Sequence, residues 1–399
     1  MKSLIGFFVG LLLLATNSDG YKAANNSVTP EQLDKLNNYL ELYSSIAEGD
    51  LWIKLPEDIS LQFGDSGIHV QSLRHNLLLT KDISSTEDTL LSPIFDEDLK
   101  DGVRRFQQRH GLLTDGIVGQ QTLEELRVTP AQRAKQIRFN IDRWKVFYEH
   151  EARPTVFVNI PDYTLKLLDE NYNTIWETRI IVGLATKGYR TVRMNDEVTH
   201  LVFNPSWHIP NSIIRREIIP IMRRDPGYLA RNHMHIYRVS GSKKHRISAR
   251  SVNWHTADPE RDLFVIIQQP GTWNALGKVK FLFPNPFSIY LHDTPAKALF
   301  NHHRRAYSHG CIRVQYPEKL ASYLLSSDWN QPVNVNRFFK GRVPDRTVRL
   351  THPIPIRIGY FTCWTDDAGQ LQLRKDIYRL DVATVSNVKP GKKVAAVSF

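Results

Sequence analysis

Cysteine is scarce in this chain, which carries only Cys311 and Cys363 among its 399 residues. At most one disulfide can therefore form, so the two thiols either pair with each other or remain separate. Long apolar segments are also missing, because no stretch beyond the N-terminus approaches 18 uninterrupted apolar residues. We therefore expect the mature protein to be soluble.

The N-terminus has the features of a secretory signal peptide over residues 1–20. A lysine precedes an apolar run from Leu4 to Leu14, and small polar residues follow it, with Ser18 and Gly20 at possible cleavage positions. The run is too short to span a bilayer comfortably. No cysteine follows it, so a lipoprotein anchor is not expected. The sequence therefore predicts an exported protein with no stable membrane insertion after signal cleavage.

Acidic residues are outnumbered by basic ones, 41 against 52, and the formal net charge is +11. This balance favours an anionic partner, for which nucleic acid, an anionic membrane and an acidic polymer all qualify. Export disfavours nucleic acid. Histidines recur at 233 and 235 and at 302 and 303, but neither pair has a third ligand at zinc spacing, so no metal site is expected.

The chain is longer than one hydrophobic core usually organises, so several domains are expected. A helix is predicted over 29–48, with Thr29 as its N-cap and Pro30 at its first position. The predicted units are an N-terminal helical scaffold at 21–50, three helices with glycine turns at 51–128, a linking helix at 129–153, a domain of alternating strands at 154–370 and a C-terminal tail at 371–399.

Residues 211–260 interrupt the strand pattern and are dense in arginine, histidine and lysine. We interpret them as an insertion that acts as a lid over a cleft. The tract KKHRISAR within it is expected to be a solvated or polymer-facing surface. Trp207 and Trp273 either line this cleft or belong to the core, and the sequence leaves both possibilities open.

Two short motifs carry the chemistry. In an extended GCIRV segment, Cys311 and Arg313 would share one face while Ile312 and Val314 enter the core. The same alternation in FSIYLHD directs Phe287, Ile289 and Leu291 to the core. It directs Ser288, Tyr290 and His292 outward. Two such strands would place His292 beside Cys311, where an imidazole can take the thiol proton.

The neighbours of Cys311 fit a working nucleophile. Arg313 would favour thiolate and any substrate carboxylate, so we expect a lowered thiol pKa, in the range of about 3.5–7.5 of activated cysteines. Gly310 would permit close approach of substrate or backbone. Backbone N–H groups around 309–311 would form an oxyanion hole.

The segments IYLHDTP and SHGCIRV, with PGTWNALGKVKFLFPN upstream, resemble the signature of L,D-transpeptidases with the YkuD-type catalytic domain. The resemblance extends over roughly residues 154–370. FQQRHGLLTDGIVGQQTLEEL resembles the three-helix peptidoglycan-binding domain. Together they imply an α+β multidomain chain, with a mostly β, sandwich-like catalytic domain behind the helical one, as in the larger Gram-negative members.

The resemblance implies roles for individual residues. Cys311 would be the nucleophile and His292 the general base, without a cofactor. The substrate-side and oxyanion positions would be Ser308, His309, Gly310, Arg313 and Tyr290. By strand alternation, Asp293 would point away from His292 and is not assigned as its orienting group; a backbone carbonyl is one alternative, and the sequence leaves the orienting group open.

The implied function is periplasmic peptidoglycan crosslinking through a cysteine thioester, with 3→3 links and release of terminal D-alanine. The helical domain would hold the enzyme on the wall. An L,D-carboxypeptidase or a lipoprotein-anchoring transpeptidase of the same family stays open, as does a non-catalytic wall-binding protein. The sequence does not indicate an oligomeric state.

Overall fold

The computed structural model describes residues 31–84, 92–150, 153–340 and 343–381. The predicted signal peptide, the predicted cap at Thr29 and Pro30, and residues 382–399 of the predicted tail lie outside the described residues. Within the described part of the chain, no helix combines the length and the apolar character needed to cross a bilayer.

The helices include those of the scaffold, the three-helix region, the linking segment and the insertion. They are α1 (Glu31–Glu48), α2 (Ile68–Leu79), α3 (Glu97–Arg109), α4 (Gln120–Leu126), α5 (Pro130–Tyr148), α6 (Asn211–Ile213), α7 (Ile219–Arg224), α8 (Tyr228–Arg231), α9 (Pro317–Trp329) and α10 (Asn336–Phe339). A π-helical turn, Ile214–Ile218, joins α6 to α7.

The strands begin at residue 155. They are β1 (Thr155–Asn159), β2 (Thr164–Leu168), β3 (Thr174–Gly183), β4 (Met194–Phe203), β5 (Trp207–His208), β6 (Met234–Ser240), β7 (Lys243–Ile247), β8 (Phe264–Gln268), β9 (Val279–Leu282), β10 (Leu291–His292), β11 (Ala306–Ser308), β12 (Ile312–Val314), β13 (Arg346–Gly359), β14 (Cys363–Thr365) and β15 (Leu371–Leu373).

Helices α2, α3 and α4 enclose an apolar cluster of their own. Its members all lie between residues 55 and 126: Leu55, Leu61, Val70, Leu73, Leu77, Ile83, Phe95, Leu99, Val103, Phe106, Val118, Leu123 and Leu126. Asp96 caps α3 by accepting the Leu99 amide. Gly102 permits close packing, since a Cβ there would lie 2.1 Å from Ile83. This region is therefore a compact unit with its own core.

A single sheet closes on itself to form the β-rich domain. Its strand order is β11-β3-β12-β10-β9-β4-β13-β1-β2, and β3 pairs with β2 as well. Closure depends on the length of β3: its first part, from Thr174 to Arg179, pairs with β2, and Ile180 and Ile181 pair with β12. The expected sandwich-like domain is therefore corrected to a barrel-like one, because one ten-residue strand joins both edges of the sheet.

The insertion has a separate four-stranded sheet, β5-β8-β6-β7, and a separate apolar cluster that includes Ile214, Ile236 and Phe264. Strands β5 and β8, which flank the predicted insertion, belong to this sheet. Strand β7 contains the first five residues of the basic tract and forms the exposed edge, where lysine and arginine discourage pairing with another strand. Trp207 packs against the cluster, whereas Trp273 is 45% exposed and stacks on His233 at 3.8 Å.

Residues 371–381 fold back onto the molecule, although they were predicted to be tail. Strand β15 pairs with β14, and Tyr378 is buried in the barrel cluster. Arg374 donates from Nε to Asp162 of the barrel at 2.7 Å and from Nη1 to the Arg109 carbonyl of the three-helix unit at 3.0 Å. This side chain therefore joins the two units.

Candidate active site

Strands β9, β10 and β12 lie side by side and form the floor of the site. Lys280 pairs with His292 across the antiparallel β9–β10 ladder, and His292 pairs with Arg313 across the parallel β10–β12 ladder. Paired residues share a face, so these three side chains point the same way. The opposite face is apolar and fully buried, through Phe281, Leu291 and Ile312.

Cys311 lies immediately before β12 on the same face as His292. The Ile312 amide donates to the Tyr290 carbonyl at 3.0 Å, which aligns Cys311 with Tyr290, two residues before His292 and therefore on the same face. The thiol itself donates to the Ser288 carbonyl at 3.6 Å. The structure thus brings Cys311 and His292 to neighbouring strands, with the thiol hydrogen bonded to Ser288.

The histidine strand is shorter than alternation predicts. Strand β10 comprises only Leu291 and His292, and Phe287, predicted to face the core, is 54% exposed. Ser288 has a φ of 55°, which turns the chain before the strand begins. The Asn285 side chain stabilises this turn by accepting from the Phe287 and Ile289 amides. The prediction for Phe287 was therefore wrong.

His292 is buried, and its ring orientation is set by the backbone. Nδ1 contacts the Asp293 carbonyl oxygen at 2.5 Å, which fixes the proton on Nδ1 and leaves Nε2 as an acceptor. Burial, with Arg313 nearby, lowers the His292 pKa to about 3, so the imidazole is neutral. The Asp293 carboxylate instead accepts from the Lys278 amide and from Lys297 Nζ. The orienting group, which the sequence left open, is therefore the backbone carbonyl of Asp293.

The Cys311 thiol is also neutral at rest. It is partly exposed, but the surrounding protein atoms raise its pKa to about 11, while Tyr290 and Arg313 act in the opposite direction. The expected lowering of this pKa was wrong, because desolvation outweighs the nearby cation. Cys363 is fully buried, and burial raises its pKa further. Both cysteines are free, which removes the disulfide alternative.

The loop before the cysteine is held by internal hydrogen bonds. Ser308 is buried; its hydroxyl donates to the Cys311 carbonyl at 2.5 Å and accepts from the Gly310 amide at 3.2 Å. Gly310 has a φ of +119°, a conformation that favours glycine. Because its amide is already bonded to Ser308, Gly310 does not offer that N–H to an oxyanion.

Two residues that sequence reasoning missed support this loop. Thr191 donates from Oγ1 to the Gly310 carbonyl at 2.8 Å, and its amide donates to the Tyr378 hydroxyl. Tyr378 also donates to the Gly183 carbonyl at 2.6 Å. These contacts join positions far apart in the sequence, and no local motif indicates them.

The insertion touches the cysteine loop at His309. His309 Nε2 lies 2.5 Å from Glu217 Oε1, and its ring packs edge-on against Tyr189 at 4.5 Å. On the same insertion segment, Arg216 lies over the Tyr189 ring at 5.3 Å. Glu217 belongs to the π-helical turn, a feature frequent at functional sites.

The residues that the structure describes contain no cluster of three or more histidine, cysteine or carboxylate side chains able to hold a metal. The arrangement instead suits nucleophilic chemistry: a thiol, a neutral imidazole with a free Nε2 and two cations share one barrel face.

Comparison with known proteins agrees with these features. Residues 153–336 match the YkuD family, "L,D-transpeptidase catalytic domain", and residues 81–126 match the "Putative peptidoglycan binding domain". A curated protein of Haemophilus influenzae, named "Putative L,D-transpeptidase", is 33% identical over 230 residues. That match covers 57% of this chain and 44% of the relative, so the chain spans less than half of the relative's length.

Two solved structures resemble the chain weakly. An L,D-transpeptidase from Stackebrandtia nassauensis has 13% identity and a TM-score of 0.28, and covers 75% of this chain and 95% of its own. A fused Zn-dependent amidase/peptidase with a peptidoglycan-binding domain, from Clostridium acetobutylicum, has 13% identity and a TM-score of 0.18, covering 75% and 99%. Neither contributes to the assignment. The sequence matches do: the chain carries a YkuD L,D-transpeptidase catalytic domain behind an N-terminal peptidoglycan-binding domain.

Proposed function

We propose that the protein is an exported peptidoglycan L,D-transpeptidase that acts in the periplasm and forms 3→3 crosslinks. The observation that carries this proposal is the shared barrel face of Cys311, His292 and Arg313 within a YkuD domain. The peptidoglycan-binding domain supports peptidoglycan as the partner.

In the acylation step, Cys311 Sγ attacks the carbonyl carbon of the third stem residue, and His292 Nε2 takes the thiol proton. The C–N bond to D-alanine then breaks, and the imidazolium returns this proton to the leaving amine. A thioester remains. Because both groups are neutral at rest, proton transfer accompanies attack rather than preceding it.

In the transfer step, the side-chain amine of a second stem attacks the thioester. His292 accepts the amine proton, the C–S bond breaks, and the proton returns to sulfur. The His309 and Cys311 amides are the remaining candidate donors of the loop for the tetrahedral oxyanion, since the Gly310 amide is engaged by Ser308.

We propose further that the insertion covers the thioester as a lid. The His309–Glu217 and Tyr189–Arg216 contacts support closure against the cysteine loop. Some basic residues of the insertion form ion pairs within it: Arg215 pairs with Asp258 and Glu260. A cover at this position would exclude water and favour an amine acceptor.

The test is incubation of the protein with disaccharide-tetrapeptide, followed by mass spectrometry of the products. Crosslinked dimers that are absent with Cys311→Ala and present with the control Cys363→Ser support the proposal. Tripeptides without dimers would assign water as the acceptor and a carboxypeptidase. Unchanged substrate with both wild type and control would indicate a non-catalytic wall-binding protein.

A further inference from the structure

Lys280 is placed in the site by the sheet itself. It lies on the central part of β9, directly opposite His292, with Val202 of β4 on its other side. Its Nζ is 5.9 Å from the centre of the Tyr290 ring. Neighbouring strands are spaced by about 4.8 Å, so the backbones of Lys280 and Arg313 lie roughly 10 Å apart, with His292 between them.

These two cations have no acidic partner in the described part of the chain. No carboxylate there lies within ion-pair distance of Lys280 or Arg313, and Arg313 Nε is buried without a hydrogen-bond partner. Other lysines nearby are paired: Lys278 Nζ lies 3.2 Å from Glu318, and Lys297 Nζ lies 2.6 Å from Asp293. The site thus leaves its two central cations unpaired.

Leaving Lys280 and Arg313 without an acidic partner is energetically unfavourable for the protein without substrate. Burial lowers the pKa of Lys280 and of Arg313, which records the desolvation of both charges. Asp345 attracts Lys280, but its Oδ1 accepts the Ser206 amide at 2.7 Å. An incoming carboxylate would relieve the penalty, because charge-assisted hydrogen bonds in such surroundings are about twice as strong as neutral ones.

We propose that Lys280 is a substrate-binding residue that, together with Arg313, takes a carboxylate of the donor peptide beside Cys311. This inference rests on the proposed function. It gives the donor site a specificity for acidic peptides: the cations would hold a carboxylate across the face of His292, with the scissile carbonyl directed toward the thiol. The carboxylate belongs to the third residue's side chain, to the second residue or to the terminus, and the test separates these sources.

The test combines a protein change with a substrate change. Thioester formation is followed by intact-protein mass spectrometry for wild type, Lys280→Met and the matched control Lys278→Met. Each is given the free-acid donor and donors carrying a carboxamide at one of the three positions. Lys280→Met should lower kcat/KM about 10- to 100-fold for the free acid, mainly through KM, and Lys278→Met should not.

At the recognised position, the carboxamide donor should react equally with wild type and Lys280→Met, and Lys280→Arg should restore part of the free-acid rate. An equal loss for every donor would overturn the proposal, because Lys280 would then act on the thiol or on folding. No loss for any donor would overturn it as well.

A binding measurement separates this inference from the proposed function. Calorimetry on Cys311→Ala and on Cys311→Ala/Lys280→Met needs no turnover. A Lys280-dependent preference for free acid over carboxamide supports the carboxylate site even when wild type forms no thioester. Equal affinities for the two donors in Cys311→Ala refute the site even when crosslinking occurs.

Discussion

The resting protonation state of Cys311 can be tested directly by alkylation. Burial raises the thiol pKa from 9.0 to about 11. Compared with an ordinary thiol, this raised pKa disfavours thiolate by about 2.7 kcal/mol and makes the thiolate fraction about 100-fold smaller at neutral pH. Iodoacetamide should therefore modify Cys311 about 100-fold more slowly than an ordinary thiol at pH 7.5, with a rate that rises about tenfold per pH unit.

Variants distinguish the causes of this behaviour. Because the His292 pKa is about 3, the neutral imidazole adds no charge, so His292→Ala should leave the alkylation profile nearly unchanged while abolishing crosslinking. Arg313→Met should slow alkylation, since Arg313 lowers the thiol pKa. Mass spectrometry on a Cys363→Ser background follows one thiol. A rate plateau below pH 8 that disappears in His292→Ala would show a thiolate–imidazolium pair and refute this reasoning.

Three further predictions concern stability, the lid and wall binding. The His292 pKa lies below its unfolded value of about 6.5, so the unfolded chain binds more protons than the folded one between about pH 6.5 and 3. The free energy of unfolding should therefore decrease by about 1.4 kcal/mol for each pH unit lowered through this range because of this residue. When the free energy of unfolding from urea titrations is plotted against pH, His292→Gln should give a shallower slope than wild type. Glu217→Gln, measured beside the control Glu260→Gln, should shift products from dimers toward hydrolysed tripeptides while Cys311 alkylation stays constant; an unchanged ratio would leave the His309 contact without a role in the lid. Residues 51–127 enclose their own core and should fold alone and co-sediment with purified sacculi at low salt, whereas a folded fragment that stays in the supernatant would be only a spacer.

Local alternation predicted part of the site correctly. Ile312 and Val314 enter the core, and Arg313 shares the cleft face with His292, because a strand alternates whatever its partners are. The prediction for Phe287 was wrong because a positive φ at Ser288 interrupts the strand, and residue pattern does not encode that turn. Barrel closure depends on pairing of β3 with β2 and β12, which no local pattern records.

The protonation states were beyond the sequence for a different reason. Whether a cysteine beside an arginine is thiol or thiolate depends on how much water the folded chain removes from it, and at Cys311 this desolvation outweighs the effect of Arg313. The contacts of Glu217 with His309 and of Tyr378 with Thr191 likewise join residues distant in the sequence. Lys280 was visible as one residue of a longer motif, but only the register with His292 indicates its use.

The Arg374 side chain helps to fix the distance between the three-helix unit and the barrel. A wall-binding module on a flexible tether would search a volume set by tether length, and its catalytic partner could reach any stem within that volume. Here a guanidinium bonded to both Asp162 and the Arg109 carbonyl replaces the tether. Under the proposed function, the fold itself would set the distance between the glycan held by the three-helix unit and the stem that reacts at Cys311. Crosslinks would then form at a constant distance from the glycan chain to which the protein is bound.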